Sequence, residues 1–338
     1  MINLCQDSPH AVLPELMGLA PTALRSLRVQ RYHGDDQAVA MGEFTATDAA
    51  LIVRLYNFLQ GLFTALTGRG PERATALEEY LGHEDIEALC QDVSRLGVTS
   101  YAARPGKLLA QVLHDVRGGG LSSIVAQIQL RKPGQADEAT CECLYFLVRD
   151  HLKIMRNALL GLDDAKRNGD LQIKLHGTDL MVEKWDGLRL KSGQNELQLQ
   201  VICPKSVEIA ECCVEFGALD RILYNLLNNA SRHAAHERIR LVLFPVPDER
   251  GGVLRLVLLN KINATDRRYL DRVDLKTLFQ TGVSTTGSGY GLSVAAEFVS
   301  HAFGLGTAAA AVEGGYLGAR LIGDEFAIWF HWPIVPEE

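Results

Sequence analysis

The chain has 338 residues, 47% of them hydrophobic and 22% charged, with a formal net charge of −7 and an isoelectric point near 5.8. That length holds two or three domains with separate cores, and the acidic balance offers no field that would recruit nucleic acid or anionic lipid. Met1 to Asp7 carries neither a basic leader nor an apolar signal core, and no apolar run stands out at the ~20 residues of a membrane span, so a cytoplasmic protein without a span is expected. Seven cysteines, including Cys141-x-Cys143 and Cys212-Cys213 but no CxxC, suit reduced and mostly buried thiols rather than zinc or disulfides.

Residues 1–103 read as a helical region of unknown role. Leu51-Ile-Val-Arg-Leu-Tyr-Asn-Phe-Leu59 continues through Leu62 and Leu66, and Pro71 to Leu96 repeats apolar residues at helical spacing. Residues 104–166 predict a two-helix hairpin. Its first helix places Leu109, Val112, Leu113 and Val116 on one face and resumes with Leu121, Ile124, Val125 and Ile128, before a turn at Pro133-Gly134. Its second helix carries a broad stripe, Leu144, Leu147, Val148, Ile154, Met155, Ala158, Leu159 and Leu162, too wide for one hairpin to bury. A homodimer completing a four-helix bundle is the expected cover.

Residues 167–338, with a linker to about 195, turn to mixed α and β. Strands are predicted at 197–202, 239–244, 253–259 and 326–332, and helices at about 218–235 and 289–303, giving a sheet with helices on one face. The fold class is therefore α+β and multidomain: a helical region, a hairpin that forms a dimeric bundle, and a C-terminal α/β sandwich. Trp329 and Trp332 in the last strand are expected to be core or sheet-face residues.

Two segments carry the chemistry. Asn225-Leu-Leu-Asn-Asn-Ala-Ser-Arg-His233 lies on the 218–235 helix, where Asn225 and Asn229 share a side next to the buried face. Such amides either cap neighbouring loops or, as with Asn229, offer a carbonyl oxygen to Mg²⁺, with Arg232 near the phosphates. The second segment, Leu278 to Leu292, is rich in glycine and hydroxyls and then opens an apolar helix, a turn that presents backbone N–H groups to phosphate. Asn263 to Thr286 between them suits a mobile lid.

The order of asparagine helix, strand, lid and Gly287-Ser-Gly289-Tyr-Gly291-Leu292 resembles the ATP-binding domain shared by sensor histidine kinases, type II topoisomerases, ninety-kilodalton heat-shock chaperones and MutL. The asparagine segment is most similar to the kinase version. Phe279, Gly282 and Ser284-Thr285-Thr286 resemble the kinase phenylalanine box. The resemblance covers roughly residues 105–335 and implies that ATP and Mg²⁺ are held by Asn225, Asn229, Arg232, His233, Asn260, Thr285, Gly287, Gly289, Gly291 and Leu292, with the metal on Asn229. It also implies a phosphorylatable histidine on the first hairpin helix: Leu113-His-Asp-Val-Arg-Gly-Gly-Gly-Leu121 resembles the histidine box, with His114 as acceptor and Asp115 polarising its imidazole.

Three departures qualify the resemblance. Gly118-Gly119-Gly120 stands where a proline is usual, so local bending beside His114 is expected. Gly118 also occupies the position of a water-orienting Thr or Asn, which argues against phosphatase chemistry. Asn260 replaces the adenine-binding aspartate of the first glycine box and keeps an oxygen acceptor without its charge. His151, on the second helix, reads as a packing residue or the partner of an acid.

The resemblance thus implies a soluble ATP-dependent protein-histidine kinase that autophosphorylates His114 and passes the phosphoryl group to a response-regulator receiver domain. A histidine phosphotransferase or pseudokinase scaffold with a decayed ATP site is the alternative. An ATP-driven clamp of the chaperone or repair type, which needs no His114, ranks third.

Overall fold

The computed structural model describes residues 37–68, 70–97, 106–130, 137–192, 195–246, 252–280 and 290–335, with Leu16, Tyr32 and Gly34. The chain divides into two compact units, residues 33–174 with 212–225 and residues 1–32 with 175–211 and 226–338. The turn predicted at Pro133-Gly134 lies outside the described residues.

The first unit is helical. Helix α1 (Ala46–Leu66) starts at Thr45, whose side chain accepts from the Asp48 backbone; α2 (Pro71–His83) opens on proline; α3 (Ile86–Ser94) is capped by Asp85. The hairpin follows as α4 (Lys107–Arg117), α5 (Gly119–Leu130) and α6 (Glu138–Ala158), the last capped by Asp137. Burial follows the predicted faces: Leu144, Leu147, Val148, Ile154 and Met155 of α6 are at or near zero exposure, as are Ile52, Leu55, Leu59, Leu62 and Leu66 of α1. Helix α1 packs directly on α6 and also meets α2 and α3. The wide α6 stripe, for which a second copy of the chain is the expected cover, is buried within the same chain, where α6 packs on α5 and α1 and also meets α2 and α4. By length and mean hydropathy α1 also qualifies as a membrane span, which the sequence reading did not find; here its apolar side is a core face.

Helix α6 ends at Ala158 rather than near Leu162 because Leu159–Leu160 (β2) is extended and pairs in parallel with Val39–Ala40 (β1). Two polar contacts fasten that corner. Arg156 binds Asp170 at the end of α7 (Asp164–Asp170) through Nε at 2.5 Å and Nη2 at 2.9 Å, and the Tyr56 hydroxyl of α1 donates to Asp163 at 2.8 Å.

The second unit is built on a sheet. Strand β3 (Ile173–Gly177) pairs with β6 (Glu208–Cys212), and between them lie α8 (Thr178–Trp185), β4 (Arg189–Ser192) and β5 (Asn195–Ile202). Helix α9 (Cys213–His233) leads directly into β7 (Ala234–Val246), followed by β8 (Val253–Ile262), β9 (Leu317–Ile322) and β10 (Glu325–Pro333). The six-stranded sheet has the order β4, β5, β7, β8, β10, β9; only the β5–β7 pair is parallel. All four predicted strands are present, and α8 packs on β5 while α11 (Gly291–Phe303) packs on β10.

Strands β4, β6 and β9 and helix α8 were not read from the sequence, being short and without sustained alternation. The stretch read as a lid contains α10 (Ala264–Leu270), capped by Asn263, and a 3₁₀ turn at Leu275–Phe279. In the core, Arg255 is fully buried and donates to His331 Nε2 at 2.9 Å, while His331 Nδ1 meets the Tyr316 carbonyl at 2.9 Å. Burial, with the neighbouring Arg255 charge adding to it, pushes the His331 pKa down to about 3. Trp332 is fully buried and Trp329 nearly so, as core residues.

Candidate functional site

Helix α4 turns Leu109, Val112, Leu113 and Val116 inward and leaves the His114 ring partly exposed, at 20%. Its end is set by glycine. Gly118 has φ −102° and ψ −150°, and its N–H bonds the His114 carbonyl at 2.8 Å. A Cβ on Gly118 would lie 2.8 Å from that carbonyl, and one on Gly120 would lie 2.8 Å from His151 Nδ1. The triple glycine therefore breaks the helix one turn after His114, as expected, and also admits α6 at close range. His151 is fully buried, and burial, only partly offset by the Val116 backbone and the nearby Asp115 and Asp150 charges, pushes its pKa down to about 4. It is a packing residue.

His114 Nδ1 lies 3.2 Å from Asp115 Oδ1. The other carboxylate oxygen, Oδ2, accepts from Arg221 Nε at 2.8 Å and stands in ion-pair contact with Nη2 at 2.6 Å. Asn225 Nδ2 reaches Asp115 Oδ1 at 3.5 Å. Asp115, Arg221 and Asn225 are all buried. Burial alone would raise the Asp115 pKa, but the Arg221 charge and the His114 hydrogen bond outweigh it and bring the carboxyl down to about 2. The carboxylate thus stays ionised at neutral pH and orients the ring; it is too weak a base to take the proton.

Arg221 was not singled out from the sequence. The signal was present: Arg221, Asn225 and Asn229 are spaced by four along α9, one polar line beside an apolar face. Residues 213–225 of that helix belong to the helical unit and residues 226–233 to the sheet unit. Asn225, expected among the nucleotide ligands, is placed at Asp115.

In the sheet unit His233 and Asn260 stand near one end of the sheet. Pairing of Ala234 with Ile262 sets the end of α9 beside the end of β8. His233 Nδ1 is 3.2 Å from Asp266 Oδ2, which also accepts from Asn263 Nδ2 at 2.9 Å. Asn260 sits between Ile239 and Phe326 in register, is 2% exposed, and donates to the Lys261 carbonyl at 3.4 Å. Asn229 is half-buried and Arg232 exposed, and neither side chain has a hydrogen bond among the described residues. Gly291 and Leu292 form the first turn of α11, where the Tyr290 side chain makes no capping hydrogen bond. Thr285, Gly287 and Gly289 lie outside the described residues, as does most of the phenylalanine box; Phe279 is buried.

Among the described residues no group of three His, Cys, Asp or Glu side chains could cage a metal. The Asn229 amide does fit Mg²⁺, which takes oxygen ligands, keeps several waters and draws the rest from phosphates.

No family profile and no curated protein matches the chain. Among solved structures it is similar to the catalytic domain of the histidine kinase ThkA, at 17% identity over 41% of this chain and 82% of that one, with a TM-score of 0.29. It is similar to full-length ShkA in complex with AMPPNP, at 16% identity over 73% of this chain and 46% of that one, with a TM-score of 0.31. A third likeness is the histidine kinase domain of the blue-light activated kinase EL346 from Erythrobacter litoralis, at 12% identity over 84% and 94%, with a TM-score of 0.29. The functional reading below rests on the residues of this chain.

Proposed function

We propose that the chain is an ATP-dependent protein-histidine kinase that phosphorylates His114 and passes the phosphoryl group to an aspartate of a response-regulator receiver domain. The observation that carries this reading is the hydrogen bond from His114 Nδ1 to an ionised, buried Asp115. A carboxylate can only accept, so Nδ1 is the donor and a neutral ring carries its lone pair on Nε2, the nitrogen that would attack. In the transfer, Nε2 forms a bond to the γ-phosphorus, the bond from that phosphorus to the β–γ bridging oxygen breaks, and ADP departs with the electron pair. The ring gains positive charge as the bond forms, and Asp115 stabilises it without taking the proton.

Asn229 would hold the metal through its amide oxygen, and Mg²⁺, when bound, neutralises phosphate charge. Arg232 and the leading N–H groups of α11 would bind phosphate oxygens, and Asn260 would accept from the adenine amino group. The setting is the cytoplasm, where ATP and a receiver domain are at hand. A homodimer, as the resemblance implies, would use surface other than the α6 stripe; light scattering distinguishes one copy from two.

A second reading, a histidine phosphotransferase with a decayed ATP site, is favoured by Asn260, which is uncharged and whose amide already donates to the Lys261 carbonyl. Label from γ-labelled ATP on wild type, absent from His114→Gln, supports the kinase. Label on His114 only from a phosphorylated receiver domain supports the phosphotransferase, and label retained by folded His114→Gln excludes both.

A further inference from the structure

We propose that Arg221 is the positioning residue of the phosphoacceptor: by occupying Oδ2 of Asp115 it reserves Oδ1 for His114 and so fixes Nε2 as the reacting nitrogen. The inference rests on His114 being the acceptor and adds to it a residue 106 positions away, brought from α9.

A free aspartate can rotate its carboxylate and offer either oxygen to a neighbouring imidazole, and a neutral imidazole can carry its proton on either nitrogen. Both freedoms are removed here. The guanidinium of Arg221 donates from Nε to Oδ2 at 2.8 Å and brings Nη2 into ion-pair contact with the same oxygen at 2.6 Å, while His114 Nδ1 is set against Oδ1 at 3.2 Å. Asn225, one turn further along α9, supports the Oδ1 side at 3.5 Å. Arg221 is 7% exposed, Asp115 5% and Asn225 5%, so water does not compete freely for these bonds. As a stability element such a pair is close to neutral against apolar residues of the same volume; its particular consequence is the orientation of Asp115. The low Asp115 pKa agrees with this arrangement, because it keeps the carboxylate an acceptor throughout.

The test uses the full chain with nitrogen-15-labelled histidine and reads the His114 ring signals, assigned with His114→Gln. Wild type is expected to show Nδ1 protonated and Nε2 bare; an Nε2–H tautomer in wild type overturns the proposal without need of any variant. Arg221→Gln, with its fold verified by circular dichroism, is expected to populate both tautomers. It should also slow His114 phosphorylation about tenfold to 100-fold at saturating ATP without changing the ATP KM. Arg221→Lys, which keeps a donor and a charge, should recover part of both effects. A folded Arg221→Gln with wild-type tautomer and rate overturns the proposal. If wild type takes no label from ATP or from a phosphorylated receiver, the acceptor reading fails, and the tautomer measurement still decides what Arg221 does to the ring.

Discussion

Along the single helix α9, polar residues spaced by three or four serve opposite ends in the two units. In the helical unit, Arg221 and Asn225 are buried and their donors converge on Asp115. In the sheet unit, Asn229 and Arg232 are half-buried or exposed, and no described residue bonds them. A polar group removed from water must be satisfied by the protein, whereas one left at the surface is free to meet a ligand. The end of this helix at Asp115 is thus satisfied within the chain, and the end proposed for the nucleotide carries side chains that no described residue bonds. Substitutions at the first end should cost stability, and substitutions at the second should cost binding.

The largest expected effect is at the closed end. Asp115→Ala leaves the Arg221 guanidinium buried without its counter-ion and should destabilise the helical unit by about 3–5 kcal/mol, read as a lower urea midpoint. A near-neutral result would break the contrast between the two ends.

The next effect is of pH, and it separates the units. Folding lowers the pKa of His151 in the helical unit to about 4 and of His331 in the sheet unit to about 3, against an ordinary value of 6.5. The unfolded chain therefore binds the proton first as pH falls. Stability is full above pH 6.5, declines until the folded pKa is passed, and is level below it. Each histidine should contribute a loss of about 2 kcal/mol by pH 5. Thermal melts from pH 7 to 4 should show that His151→Leu flattens the helical unit's share of this decline and leaves the sheet unit's share in place.

Gly120→Ala should cost about 1–3 kcal/mol, because its Cβ would press on His151 in a packed interior. If the variant is as stable as wild type, the close approach of α5 to α6 does not constrain the hairpin. The smallest stability effect belongs to Asn229→Ala, expected within about 0.5 kcal/mol of wild type. Calorimetry with an ATP analogue and Mg²⁺ should nonetheless lose its saturable heat in that variant. Loss of stability without loss of binding would reverse the comparison.

Local pattern carried much of this fold. Alternation located β5, apolar runs flanking a Pro/Asp/Gly connector located β7 and β8, an apolar and aromatic run located β10, helical spacing located α1, α4, α6, α9 and α11, and the glycine run marked the break after His114. Short elements escaped, because β4 and β6 of four and five residues hold too few positions for a period to emerge. The site was legible where its residues adjoin in sequence, as His114 and Asp115 do, or recur on one helix face, as Asn225 and Asn229 do. It was not legible for Arg221, whose role depends on a partner 106 residues away.

By itself the sequence determined which faces are apolar, where helices and strands begin and break, and that a histidine with an adjacent acid precedes an asparagine-bearing helix. It did not determine what covers each face. The α6 stripe called for a partner, and only the tertiary structure showed that helices of the same chain, α5 and α1 foremost, supply it. Periodicity records that a surface must leave water, and the hydrophobic effect is indifferent to which apolar surface meets it. The Asp115–Arg221 pair is likewise a tertiary decision, since a buried carboxylate requires a counter-ion but nothing in its neighbouring residues names one.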